Sequence, residues 1–118
     1  MCSHLIGKPY KYGTNSDSVD CISLVIQALD SMQIDNPGLK TSWYEMSLAS
    51  VCRELSTYTE KIKRPEYDGD VVLIATDSLA FGVVWQQGIL YINRQAMAVD
   101  WKPISALSIR RSYRMKRI

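Results

Sequence analysis

Asp20-Cys21 stands at the head of an apolar, helix-spaced run, directly after a glycine-bearing loop. A cysteine there is placed to act as a nucleophile, because the unpaired N–H groups and the dipole at a helix start favour thiolate over thiol. The competing account is packing, since a free cysteine behaves as a small hydrophobe and is among the most buried residue types. Hydrolysis through such a sulfur also calls for an imidazole, which takes the thiol proton and later returns one to a leaving amine. The single histidine, His4, precedes the loop. It serves as a base only if the N-terminal segment folds across the cleft. Asp70 and Asp77 flank the first apolar strand pattern, but carboxylates as a class are poor partners for thiol deprotonation at neutral pH.

The remaining chemistry is sparse. Three cysteines, Cys2, Cys21 and Cys52, form an odd set with no C-x-x-C spacing. With one histidine, they point away from a disulfide framework and from a zinc site, and no metal or other cofactor is expected. Reduced thiols fit synthesis in a cytoplasm. At 118 residues, 47% hydrophobic and 22% charged, the chain has the size and composition of one globular domain spanning 1–118. Fourteen basic against twelve acidic residues leave a net charge of +2, so no nucleic-acid partner is expected from overall charge. No apolar run approaches the ~20 residues of a membrane span, and residues 1–10 lack the pattern of a secretory signal. Neither membrane insertion nor classical export is expected.

The elements that must position Cys21 are legible in outline. Gly7 to Asp17 reads as loop. Asp17, Ser18 and Asp20 are N-cap candidates for a helix in which Cys21, Ile22, Leu24, Val25, Ala28, Leu29 and Met32 recur at helical spacing, until Asn36-Pro37-Gly38 ends it. From Trp43 to Ile62, apolar residues at similar spacing predict one or two amphipathic helices, with Ser42 or Ser47 as caps. After Pro65 the period changes. Val71 to Ala75 predicts a buried strand, and Phe81 to Trp85 with Ile89 to Ile92 predict a hairpin around Gln86-Gln87-Gly88. Met97 to Trp101 and Ile109 to Met115 complete a strand series. Helices first and strands second predict an α+β fold with an antiparallel sheet.

Four segments in this order carry a family resemblance: Gly7-Lys8-Pro9-Tyr10-Lys11-Tyr12-Gly13, Val19-Asp20-Cys21-Ile22-Ser23-Leu24-Val25, Gly69-Asp70-Val71-Val72-Leu73-Ile74 and Gly82-Val83-Val84. Together they resemble the NlpC family of papain-like cell-wall cysteine peptidases, over nearly the whole chain. The isoleucine after the cysteine and the small size look more like the branch found in bacteriophage tail tips. The resemblance implies an NlpC-type papain-like fold, Cys21 as nucleophile, and a substrate cleft bordered by Tyr10, Tyr12, Asp20 and Asn93. It also implies an imidazole base on the strand carrying Gly82 and an orienting polar residue on the next strand. The two imidazole positions fall on Ala80 and Ile92, with Asn93 beside the second. The architecture is therefore expected to have outlived its chemistry, leaving Cys21 a vestigial nucleophile.

The expected function is that of a structural or assembly component of a phage tail tip or baseplate, located in the virion, with tail or baseplate proteins as partners. Two rival expectations follow from the same motifs. One is an active cysteine endopeptidase or amidase cutting peptidoglycan peptides, its base supplied by His4 or a neighbouring chain. The other is a module that binds wall peptides without cutting them. Two features stand apart from the family motifs. Trp43, Trp85 and Trp101 are core or interface anchors. Arg110, Arg111, Arg114, Lys116 and Arg117 crowd the C-terminal segment. Alternation puts Arg110, Arg114 and Lys116 on one strand face, read as the charged defence of an edge strand rather than as a surface for phosphates or an acidic protein.

Overall fold

The computed structural model describes residues 2–9, 21–34, 47–57, 59–76 and 79–115. Among them lie a 3-10 turn at Ser3–Leu5, helices α1 (Cys21–Ser31) and α2 (Leu48–Ser56), and strands β1 (Thr59–Ile62), β2 (Val71–Ala75) and β3 (Leu79–Trp85). Strands β4 (Gly88–Asn93), β5 (Ala98–Pro103) and β6 (Ser108–Met115) follow, with a second 3-10 turn at Ile104–Ala106 between the last two. The fold is α+β. Its single sheet has the order β1-β6-β2-β3-β4-β5, and every pairing is antiparallel.

Helix α1 buries Ile22, Leu24, Val25, Ala28 and Leu29, and it lies chiefly on β3 and also on β4. There it meets Phe81, Val83, Trp85, Leu90 and Ile92 in the larger of two apolar clusters. The opposite face of the sheet holds a second cluster of Val72, Ile74, Ala80, Val84, Ile89 and Tyr91, covered by Ile104, Leu107 and Ile109. With both faces covered, Val71 to Ile74 are all buried, which explains why β2 reads as a continuous apolar run instead of an alternating one. No helix among the described residues is long and apolar enough to cross a membrane.

Helix α2 is capped by Ser47, whose Oγ accepts from the Ser50 N–H at 3.2 Å. The chain leaves the helical path earlier than the expected boundary at Ile62. Hydroxyls of Ser56, Thr57 and Thr59 donate to the carbonyls of Arg53, Glu54 and Leu55, each at 2.7 Å. These side chains take the hydrogen-bonding places that a further helical turn would have filled. Thr59–Ile62 then becomes strand β1, which pairs with β6.

That pairing corrects the reading of the basic C-terminal strand. β6 is not an edge; it lies between β1 and β2. Exposed charges on an edge belong instead to β1, through Glu60 and Lys61. Nor does simple alternation hold along β6. Leu73 pairs with Arg111 while Ile74 pairs with Ile109, so Arg110 is the extra residue of a β-bulge. Arg110 and Arg114 consequently do different things, and Lys116 and Arg117 lie outside the described residues.

The β3–β4 hairpin forms around Gln86-Gln87, with Trp85 paired to Gly88. Both glutamines have positive φ, 50° and 63°, the geometry of a type I′ turn that favours Asn-Gly. Gln86 is held there by an N–H donated to Asp68 Oδ1 at 2.9 Å. The double substitution Gln86→Asn with Gln87→Gly is expected to stabilise the fold by about 1 kcal/mol, because L side chains resist the left-handed region. Urea unfolding midpoints measure this, and an unchanged or lower midpoint would refute it.

Candidate functional site

Cys21 is the first residue of α1, which places its backbone among the unpaired N–H groups of the helix start. Its side chain, together with Tyr10, Tyr12, Asp20 and Asp77, lies outside the described residues. The sheet surface under α1 is described on β3 and β4. On β3 and β4 the facing side chains are Phe81, Val83, Trp85, Leu90 and Ile92, none of which accepts a proton.

Ala80 and Ile92, the two positions at which the resemblance expects imidazoles, do not meet. Ile92 belongs to the cluster under α1, whereas Ala80 is buried in the cluster on the other side of the sheet. Asn93 follows Ile92 and by strand alternation shares the face of Tyr91, away from α1. Its side chain is committed locally: Oδ1 accepts from the N–H groups of Gln95 and Ala96 at 3.1 and 3.3 Å, and Nδ2 donates to Asp100 Oδ2 at 3.3 Å. Gly82, the glycine of the fourth motif segment, answers to packing. A Cβ there would lie 2.7 Å from Ile89 Cγ2 and 2.8 Å from the Leu90 carbonyl oxygen, a space that only glycine fits.

His4 lies on the exposed side of the first 3-10 turn. The segment carrying it is tied to the far half of α1. Cys2 Sγ donates to the Ala28 carbonyl at 3.7 Å, and Lys8 Nζ donates to Gln27 Oε1 at 3.1 Å. Ala28 lies about 10 Å along the axis from Cys21 at the ordinary helical rise. Gly7 and Lys8 then exchange backbone hydrogen bonds with Val99 on β5. Burial pushes the Cys2 thiol above its ordinary range, so this cysteine is a core residue.

Asp70 is 2% exposed and holds a structural junction. Its Oδ2 accepts from the N–H groups of Glu66 and Tyr67, and both carboxylate oxygens are held by Arg114 at 3.0 Å. The Gly-Asp motif thus fastens the turn before β2 to β6.

A second constellation, which the sequence reading did not assemble, lies between α2 and the β1–β6–β2 side of the sheet. A cavity of about 780 Å³ opens there, with Arg53, Lys61, Arg110 and Arg111 around it. The Arg111 guanidinium and the Cys52 thiol face the Tyr113 hydroxyl. Burial pushes that phenol up, and the Arg111 hydrogen bond opposes the shift. The only sequence signal for this grouping was the adjacent pair Arg110-Arg111, whose shared direction depends on the bulge.

No known family model and no curated protein sequence matches this chain.

Proposed function

We propose that the chain is an NlpC-type papain-like domain without hydrolytic activity, serving as a structural component of a bacteriophage tail tip or baseplate. One observation carries the loss of chemistry. The sheet face beneath the helix that begins at Cys21 is hydrocarbon across both β3 and β4. The described side chains on that face offer no imidazole, and acyl transfer without the base loses several orders of magnitude in rate. The tail-tip assignment rests on the motif series alone; in the fold Gly82 packs against β4 and Asp70 pins β6.

Purified protein incubated with peptidoglycan is expected to release no soluble peptides above background, and Cys21→Ala is expected to behave identically. Release that depends on Cys21 would overturn the proposal. For the structural role, mass spectrometry of purified particles is expected to find the chain in fixed ratio to tail proteins. A chain missing from particles that binds soluble wall fragments as a monomer would establish the binding module instead.

A further inference from the structure

The groove beside α2 concentrates positive charge. Net charge is only +2, yet four cationic side chains surround one cavity, and no carboxylate lines it among the described residues. They arrive from three elements: Arg53 from α2, Lys61 from β1, and Arg110 with Arg111 from β6. All four are exposed. Among the described residues, Arg53, Lys61 and Arg110 have no carboxylate partner, in contrast to Arg114 on the same strand as Arg110. Like charges gathered in a concave site repel one another unless an anion joins them.

The bulge is the second observation. In a regular strand, Arg110 and Arg111 would point to opposite faces. The register shift beside Leu73 removes that alternation, and both arginines line the same cavity. Bulges re-aim side chains in this way beside functional sites. Below the cations, Leu73, Leu79 and the ring of Tyr113 form an apolar floor. The volume falls within the range of small-molecule sites, about 300–1,000 Å³.

We propose that this groove binds a small phosphorylated organic molecule. Arg53, Lys61, Arg110 and Arg111 hold its phosphate oxygens, and its body lies on Leu73, Leu79 and Tyr113. Three guanidinium forks match phosphate oxygens bidentately, and a group bearing two negative charges neutralises more of the cluster than a carboxylate does. An amino acid zwitterion would bring a further ammonium into the cluster. The concave, apolar-floored shape favours a compact ligand over an extended polyanion.

Isothermal titration of the whole chain with inorganic pyrophosphate, ADP and adenosine tests this. Pyrophosphate and ADP are expected to bind with Kd below about 1 mM, ADP the more tightly, and adenosine not to bind. Arg53→Ser combined with Arg110→Ser is expected to weaken ADP at least about tenfold, as loss of charge-assisted bonds does. Both are exposed, so the double variant is expected to keep the parent's unfolding midpoint, which is measured alongside. Arg64→Ser, an exposed charge outside the groove, is expected to leave binding unchanged. Absence of ADP binding, or an equal loss in Arg64→Ser, overturns the proposal. So does a single-stranded oligonucleotide that binds more than about tenfold tighter than ADP, which would make the cluster a nucleic-acid surface. Either result leaves the reading of α1 and Cys21 untouched.

Discussion

Arg114→Met is expected to cost about 3 kcal/mol of folding stability, a large part of the ~5–15 kcal/mol that holds a domain together. The partner left behind decides the size. Asp70 is 2% exposed, and Arg114 meets it through Nε on Oδ1 and Nη2 on Oδ2, both at 3.0 Å. Removing the guanidinium strands a carboxylate that retains only the N–H groups of Glu66 and Tyr67. Methionine keeps a hydrocarbon near the Tyr67 ring, over which the guanidinium sits at 4.5 Å, so the measured loss reports charge more than packing. Adding Asp70→Asn removes the stranded charge while leaving an oxygen for the two N–H donors. The double variant is therefore expected to be more stable than Arg114→Met alone, by about 1–2 kcal/mol. Urea unfolding of the three variants measures the cycle. A loss below about 0.5 kcal/mol in Arg114→Met, or strict additivity, would mean that the pair behaves like an exposed one.

That ion pair also marks where the sequence stopped being informative. Apolar periodicity anticipated α1 at Cys21, the strand Val71–Ala75 and the hairpin about Gln86-Gln87, because burial against one face or both leaves a period in the residues themselves. The short strand Thr59–Ile62 left none. Its two central residues are Glu60 and Lys61, and its strand character comes from β6 pairing beside it. The basic C-terminal segment failed as a reading for a related reason. Arg114 is there for a carboxylate forty-four residues earlier, and Arg110 departs from alternation because of a bulge, neither of which has a local signature. For the candidate site, the resemblance set the expected imidazole positions at Ala80 and Ile92. It could not show that Ala80 and Ile92 occupy opposite faces of the sheet, because the side of the strand facing α1 is decided by packing.

The second large effect is expected at Gly88, the first residue of β4. Gly88→Ala should destabilise the fold by about 3 kcal/mol, the upper range for inserting a methyl group into packed surroundings. Its added Cβ would overlap the indole of Trp101, meeting Cε2, Cζ2 and Nε1 together. A flexible side chain would swing aside, but this ring is held. Trp101 sits on β5 opposite Leu90 and packs against the cluster that supports α1. Its Nε1–H donates to the Trp85 carbonyl at 2.8 Å. Moving the indole breaks that bond and opens the apolar surface beneath the helix. If the collision is the cause, its cost should vanish when the ring does. In a Trp101→Leu background, itself weakened by about 2–3 kcal/mol, Gly88→Ala should subtract less than about 1 kcal/mol more. Denaturant unfolding of the four proteins gives both numbers. An equal penalty in the two backgrounds would trace the glycine requirement to the β4 backbone rather than to Trp101. The expected rescue instead ties the start of β4 to the indole, and through the indole to the apolar bed on which α1 rests.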